Sequence, residues 1–346
     1  MINYILFFLI PPLLIYRFSK SNTYRIFSWI LVFFFLLFLS TFRDQIGSDQ
    51  GDYQLTFSKQ FYNFDPEDFP TYELLYSYIE WFSYKLKLGF HGVNFMCGLI
   101  YLFGLIILIK DEKRSWLCLL ISLPYFYFAV SWGFLRQGLS LGFIFMAVYF
   151  YKNNKIFSSI VTSVLSVLSH KFSIIFFPFL FFSYVKNKSI KIIIICSGII
   201  ILLFLSYYSI YINKTYIEQF ITNIPKEYIS KGSLLRSTMS LVPSVIFLLS
   251  REYMKKYSDY NLYFFISILC ILLFILTFLF PIPVMRIGVY FGFIQFIILP
   301  RFVDIIDIKF QTATILFIVI SYSFIFISWL LYSPHKDLWL PFKLSF

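Results

Sequence analysis

The sequence predicts an all-α integral membrane protein that crosses the bilayer many times and has little mass outside it. Hydrophobic residues make up 60% of the 346 residues and charged residues only 13%, which is about half the charged share of soluble domains. Several apolar runs reach the roughly 20 residues that cross the hydrocarbon core as a helix. These runs are continuously apolar rather than alternating, so they predict helices and not the strands of a membrane barrel.

The apolar runs predict about 12 transmembrane helices, some of them short or re-entrant. Basic residues follow the first run and do not precede it, which is unlike a cleavable signal peptide. The pair 156–169 and 172–185 is short, so we expect broken or re-entrant helices around His170. The predicted spans are 2–16, 26–41, 91–109, 115–130, 134–151, 156–169, 172–185, 190–211, 237–250, 261–280, 284–299 and 310–332.

Two longer outer loops are predicted, at 42–90 and 212–236. Within the first, the segment 72–88 is rich in aromatic residues and contains Glu80 and two lysines. This composition is typical of a helix that lies in the membrane interface. We therefore expect Glu80 and the lysines to form its solvated face.

Basic residues gather at alternate ends of the predicted spans. Placing these clusters on one side makes that side cytoplasmic, because short cytoplasmic loops are enriched in Lys and Arg. Much of the net charge of +12 then reflects topology and attraction to anionic lipids, and it gives no argument for nucleic-acid binding. The clusters are Arg17/Lys20/Arg25, Lys110/Lys113/Arg114, Lys152/Lys155, Lys186/Lys188/Lys191, Arg251/Lys255/Lys256 and Arg301/Lys309.

The remaining unusual charges fall mostly on the outer side. Ionisable groups within spans cost about 2.5–3.5 kcal/mol at the bilayer centre, so their convergence predicts a functional site in the outer half of the membrane. For Arg136 and Arg286 the alternative is simple snorkelling to the interface, and for His170 it is an ordinary turn residue. The residues are Arg43, Asp44, Asp49, Asp52, Glu73, Arg136, His170, Lys171, Arg236 and Arg286.

Several arginines at this depth favour a phosphate-containing ligand, because guanidinium binds phosphate oxygens in a bidentate manner. A lipid-linked pyrophosphate delivered from the bilayer fits these charges. A nearby carboxylate or histidine could take the proton of an incoming sugar hydroxyl, and arginines could balance the charge on departing pyrophosphate. The sequence contains no Walker loop, HExxH or GxSxG motif.

Six short motifs follow one another across nearly the whole chain. They are the block Arg43, Gly47, Asp49 and Tyr53; Glu73 in a Tyr-rich helix; the pair Arg136 and Gln137; His170 at a helix end; Arg286 before Tyr290; and the tail Pro341-Phe342-Lys343. In this succession the sequence resembles the EpsG-like branch of the Wzy-type polysaccharide repeat-unit polymerases, which make O-antigen, capsule and exopolysaccharide.

The resemblance implies a metal-independent membrane glycosyltransferase without a cofactor, built as a single transmembrane polymerase domain over 1–346. Such an enzyme transfers a growing glycan from undecaprenyl pyrophosphate to one lipid-linked repeat unit. It would be a multi-pass protein of the bacterial cytoplasmic membrane with its active site facing the periplasm or the exterior. The implied partners are undecaprenyl-pyrophosphate-linked oligosaccharides and the bilayer, with a chain-length regulator and a flippase as candidates and no nucleic acid.

Residue roles follow by analogy with that family. Arg136 and Arg286 would bind pyrophosphate with help from Arg236. Asp49 is the first choice for the catalytic base and His170 the second, with Glu73 as a further catalytic residue. The expected substrate-binding residues are Arg43, Asp52, Tyr53, Arg136, Gln137, Lys171, Arg236, Arg286 and Tyr290.

Four other functions remain open at this point. A polyprenyl-phosphate-dependent single-sugar transferase could hold a divalent metal with Asp44, Asp49 and Asp52. A membrane O-acyltransferase would decorate the glycan. A flippase or transporter of lipid-linked sugars predicts charges through to the cytoplasmic half, where the spans are nearly uncharged. A purely structural partner leaves the outer charges without a purpose.

Overall fold

The computed structural model describes residues 1–18, 21–62, 73–184, 226–278, 281–333 and 336–345. This part of the chain is helical, with one isolated antiparallel bridge between Arg43 and Leu344, which confirms the all-α class. Within it, five helices are long and apolar enough to cross a membrane. The total of about 12 spans stays a prediction, since the span 190–211 lies outside the described residues. The five are Asn22–Phe42, Gly89–Ile109, Gly232–Leu249, Tyr260–Thr277 and Ile308–Tyr332.

The chain divides into two compact units, and the first comprises Met1–Lys171 with Pro300–Phe346. The helix α6 continues without interruption as a π-helix over Leu123–Ser131. The helices of this unit are α1 (Ile2–Phe18), α2 (Asn22–Phe42), α3 (Gln50–Tyr62), α4 (Leu74–Lys85), α5 (Gly89–Ile109), α6 (Ser115–Ser122), α7 (Leu135–Lys152), α8 (Ile156–Ser169) and α15 (Ile308–Tyr332), with a 3₁₀ turn at Lys336–Leu338.

The second unit comprises Phe172–Leu299. A 3₁₀ turn (Lys171–Phe176) and α14 (Ile294–Val303) run across the divisions between the units. The division into two units does not test the prediction of a single domain over 1–346, which stays a prediction. The helices of the second unit are α9 (Phe177–Tyr184), α10 (Lys226–Leu249), α11 (Arg251–Met254), α12 (Tyr260–Thr277) and α13 (Pro281–Gly288).

The helices α5 and α7 pack closely against each other because two glycines face each other. A Cβ on Gly104 would lie 2.1 Å from the Gly142 carbonyl oxygen, and one on Gly142 would lie 2.7 Å from Cα of Tyr101. Neither backbone can yield, so this contact needs small residues, as is common between membrane helices. The contact fixes α7, whose first turn carries Arg136.

One predicted helix boundary is confirmed and others are wrong. The helix break around His170 is confirmed, since α8 ends at Ser169 and a 3₁₀ turn follows. The single span 284–299 is wrong, because α13 ends at Gly288 and α14 begins only at Ile294. The predicted loop 212–236 is helical from Lys226 onward, and its residues 212–225 lie outside the described residues. The predicted loop 42–90 contains α3, which was missed, and α4.

Members of two basic clusters, Lys152 and Arg301, share one buried carboxylate in the first unit. Glu112, in the turn after α5, pairs with Arg301 through Oε1–Nη2 (2.6 Å) and Oε2–Nε (3.0 Å). Lys152, at the end of α7, lies 2.7 Å from the same carboxylate. Burial by itself raises the pKa of Glu112, but the hydrogen bonds and charges of Arg301 and Lys152 outweigh it and lower the pKa to about 2.

Candidate functional site

A buried carboxylate, Glu73, stands at the centre of the candidate site. It directly precedes α4 and its side chain is 8% exposed. Its Oε1 pairs with Nδ1 of His170, and its Oε2 lies 3.0 Å from Nη1 of Arg136. Burying a charge is costly unless it is paired, and these two partners supply the pairing. Three predicted site residues that are far apart in the sequence are thus brought into contact.

Arg136, in the first turn of α7, is flanked by two tyrosine rings. Its guanidinium carbon lies 5.2 Å from the ring centroid of Tyr53 and 5.1 Å from that of Tyr76, contacts that contribute about 0.5–2 kcal/mol each. The side chain is 38% exposed, and its Nε donates to no acceptor in the described chain. Arg136 is therefore held in place and retains hydrogen-bonding capacity. Glu73, His170, Arg136, Tyr53 and Tyr76 together are named the Glu73 cluster.

His170 enters the cluster because α8 stops just before it. Its backbone is extended, with φ of −159°, and its N–H donates to the Ser166 carbonyl. The imidazole side chain is 13% exposed. Pairing Nδ1 with a carboxylate favours the tautomer that is protonated on Nδ1. The lone pair then lies on Nε2, which is the arrangement of a general base oriented by a carboxylate.

Arg43, an expected substrate-binding residue, is fully buried. Its guanidinium is engaged with protein acceptors on every side, so its geometry fits a role in positioning the loop. Substrate contact by Arg43 stays a prediction. The acceptors are the backbone oxygens of Ser40, Ile46 and Trp132 and the side-chain oxygens of Gln50 and Asn94.

The C-terminal tail is hydrogen-bonded to the loop that follows Arg43. Backbone N–H groups of Asp44 and Gly47 donate to carbonyls of Lys343 and Leu338 at 3.1 Å each. Gly47 has a φ of +133°, and a Cβ there would lie 2.6 Å from a backbone oxygen of Trp132, so only glycine fits. Two motifs from opposite ends of the sequence, the Arg43 block and the tail, therefore form one structural element.

The other predicted residues of the first unit lie around this loop. Asp49 precedes α3, where its N–H donates to the Gly133 carbonyl (3.3 Å) and its own carbonyl accepts the N–H of Tyr53 (3.0 Å). Asp49 is thus a near neighbour of the Glu73 cluster through Tyr53. Asp52 and Lys171 are exposed and Gln137 is half-buried. The roles of these four residues stay predictions.

Glu80 is a site residue that the sequence reasoning missed. We expected it on a solvated face, and this is wrong: Glu80 is only 3% exposed, although the lysines of the same segment are exposed as expected. Burial raises the pKa of the Glu80 carboxyl to about 7, against the opposing effects of Tyr76 and Arg136. The spacing of Glu73, Tyr76 and Glu80, which is three and then four residues, could have indicated one helix face.

Arg236, Arg286 and Tyr290 belong to the second unit. Arg236 on α10 is half-buried, and its Nη1 lies against the sulfur of Met285 on α13. Arg286, the next residue of α13, is exposed, while Tyr290 is buried in the turn that follows. The two arginines are therefore on helices that pack together. Their pyrophosphate-binding roles stay predictions.

Metal-ligating side chains do not assemble in the described part of the chain. No group of three or more His, Cys, Asp or Glu residues there is arranged to hold a metal ion. Asp44, Asp49 and Asp52, which would hold the metal in the alternative function, do not form such a group.

Comparison with family models identifies the family of this chain. The family model of the EpsG family matches residues 26–344, which is nearly the whole chain and includes the entire Glu73 cluster. No match was found among curated proteins or among solved structures. The family match confirms the resemblance carried by the sequence motifs, and the chain therefore belongs to the EpsG family.

Proposed function

We propose that this chain is a membrane glycosyltransferase that polymerises undecaprenyl-pyrophosphate-linked repeat units on the outer face of the bacterial cytoplasmic membrane. Membership of the EpsG family indicates a membrane polysaccharide polymerase, and the apolar helices fit a membrane protein. The observation that carries the proposed reaction is the Glu73 cluster. It combines a histidine paired with a carboxylate and an arginine held between two aromatic rings.

In the proposed step, Nε2 of His170 takes the proton of the acceptor sugar hydroxyl. The acceptor oxygen forms a bond to the anomeric carbon of the growing glycan as the bond from that carbon to the pyrophosphate oxygen breaks. The bonding electron pair leaves with the lipid pyrophosphate, and the proton passes from His170 to water. Glu73 stabilises the imidazolium that forms in between. We prefer His170 to Asp49 as the base because a buried carboxylate orients its ring.

Arg136 provides the cation for the pyrophosphate in this proposal. Guanidinium forms charge-assisted hydrogen bonds with phosphate oxygens and can offset the charge that develops on the leaving group. More than a third of the Arg136 side chain is exposed, and its buried Nε has no acceptor in the described chain. The rings of Tyr53 and Tyr76 flank the guanidinium and hold its position.

The test is deletion of the gene in its host, followed by analysis of the lipid-linked glycans. Complementation compares wild type with Arg136→Ala and with Arg251→Ala, a control in an arginine whose side chain is 63% exposed on α11. Immunoblots of membranes establish equal protein levels. A third variant, Arg286→Ala, tests the predicted pyrophosphate role in the second unit.

The proposal expects single repeat units to accumulate on the lipid and long polymer to vanish in the deletion strain. Arg251→Ala restores polymer, whereas Arg136→Ala does not. An incomplete repeat unit on the lipid would refute polymerisation and indicate a single-sugar transferase. Polymer of normal length that lacks only a substituent would indicate decoration of the glycan.

A further inference from the structure

Glu80 is a second buried carboxylate beside the Glu73 cluster, and the proposed reaction does not use it. Glu73 is paired with His170 and Arg136, whereas no ion pair within the described residues reaches Glu80. Its Oε1 also accepts no hydrogen bond in that part of the chain. Burial penalises the charge of such a carboxylate and so favours its protonated form.

The protonation of Glu80 decides the net charge of this region. Glu73 pairs with Arg136, so an ionised Glu80 adds one negative charge to this region and a protonated Glu80 adds none. The helices α3, α5 and α8 pack against α4. The titratable and charged groups around Glu80 are Glu73 and Tyr76 on its own segment, Tyr53 of α3, Cys97 of α5, Arg136 of α7 and His170 at the end of α8.

We propose that Glu80 links anion binding at Arg136 to proton uptake, so that Glu80 is protonated when a pyrophosphate group occupies the Glu73 cluster. The inference rests on the proposed function, since it takes the ligand to be the pyrophosphate of a lipid-linked sugar. The ligand brings negative charge toward a buried carboxylate, and like charges repel strongly where the effective dielectric constant is low. By linkage, protonation of Glu80 must strengthen ligand binding as much as the ligand strengthens protonation.

The carboxyl group of Glu80 is suited to gain and lose a proton near neutral pH. Burial raises its pKa to about 7, so a modest change in its surroundings shifts its proton occupancy. Ionised Glu80 repels the anion, so the affinity for the anion is highest below this pKa. The affinity falls as the pH rises through the pKa. Tyr76 transmits the effect, because it lies four residues before Glu80 on α4 and its ring flanks the Arg136 guanidinium.

The test is titration of the full-length protein in detergent micelles with a short-chain prenyl diphosphosugar. The pyrophosphate of this probe is a diester, so its charge is constant across the pH range used. Binding is measured by calorimetry from about pH 6 to about pH 8.5. Three proteins are compared: wild type, the isosteric variant Glu80→Gln, and His170→Gln, which removes the imidazole that pairs with Glu73.

We expect the affinity of the wild type to fall about tenfold over this range, which corresponds to about one pKa unit of coupling. Glu80→Gln binds with nearly constant affinity, and His170→Gln keeps the slope of the wild type. Parallel profiles in wild type and Glu80→Gln would overturn the linkage, as would a flat profile in His170→Gln. Absence of binding by the wild type at every pH would overturn both the linkage and the proposed function.

A second measurement needs no variant that could fail to fold. The heat of binding to wild-type protein at neutral pH is compared in buffers of different ionisation enthalpy. We expect a net uptake of protons by the complex, whereas no uptake would overturn the proposal.

Discussion

Replacing Glu73 by glutamine tests whether the candidate base works through its carboxylate partner. The change preserves shape but removes the charge that contacts both His170 and Arg136. The imidazolium formed during the reaction then loses its counter-charge, so we expect the transfer rate to fall by about 10²–10⁴-fold. Breaking a buried ion pair costs about 3–5 kcal/mol. Because Arg136 is 38% exposed, solvent screening reduces the expected loss of stability to about 1–2 kcal/mol.

The assay follows polymer formation from synthetic lipid-pyrophosphate oligosaccharide in membranes, with a thermal unfolding midpoint measured in detergent. The double variant Glu73→Gln/His170→Ala is the decisive sample. If Glu73 acts through His170, the double variant should be within about threefold of His170→Ala alone, since residues that act as a unit are not additive. The control is Glu252→Gln, a change in a carboxylate whose side chain is 64% exposed, which should leave the rate unchanged.

Multiplicative losses in the double variant would refute this reasoning, because they would mean that the two residues act independently. A full rate in Glu73→Gln alone would refute it as well. In that case Asp49, the first choice from the sequence, becomes the base to test.

Three further predictions concern stability. Arg43→Lys should lower the free energy of unfolding by about 2–4 kcal/mol, because a single ammonium cannot satisfy the acceptors around the buried guanidinium, and a thermal midpoint measures this loss. Gly142→Ala should reduce the amount of folded protein in membranes, since its Cβ would lie 2.7 Å from a backbone carbon of α5, while Gly51→Ala, with open space around it, should not. Glu112→Gln should destabilise the protein at neutral pH by about 3–5 kcal/mol through the loss of its pair with Arg301. Because the pKa of Glu112 is lowered to about 2, the wild type should lose this contribution as the pH falls from about 4.5 toward 2, and the variant should lack that acid dependence.

The fold class could be predicted because it depends on hydrophobicity and on backbone hydrogen bonds within each segment. Continuous apolar runs such as 91–109 and 310–332 must be helical in a bilayer, because every backbone polar group there needs a partner within its own segment. The helix break at His170 could also be predicted, since the flanking runs are short. The break between Gly288 and Ile294 was missed, because the residues in between are apolar and glycines such as Gly288 and Gly292 are also common inside membrane helices.

The motifs also indicated the family and most of the candidate site residues by their type and order. Their contacts were decided by the tertiary structure. The sequence placed Glu80 on a solvated face and gave no sign that Arg43 is fully buried or that Arg136 lies between two rings, yet the structure shows all three side chains packed in the protein.

What the sequence by itself determined was therefore the helical membrane class, the family and a set of chemically suitable residues. Only the tertiary structure decided that Glu73 contacts both His170 and Arg136, that the C-terminal tail clasps the Arg43 loop, and that Glu80 is buried beside the cluster. The physical reason is that helix formation in a membrane depends on short-range hydrogen bonding and hydrophobicity. Burial and pairing of charges depend instead on which helix ends meet, and that is set by packing between residues distant in the chain.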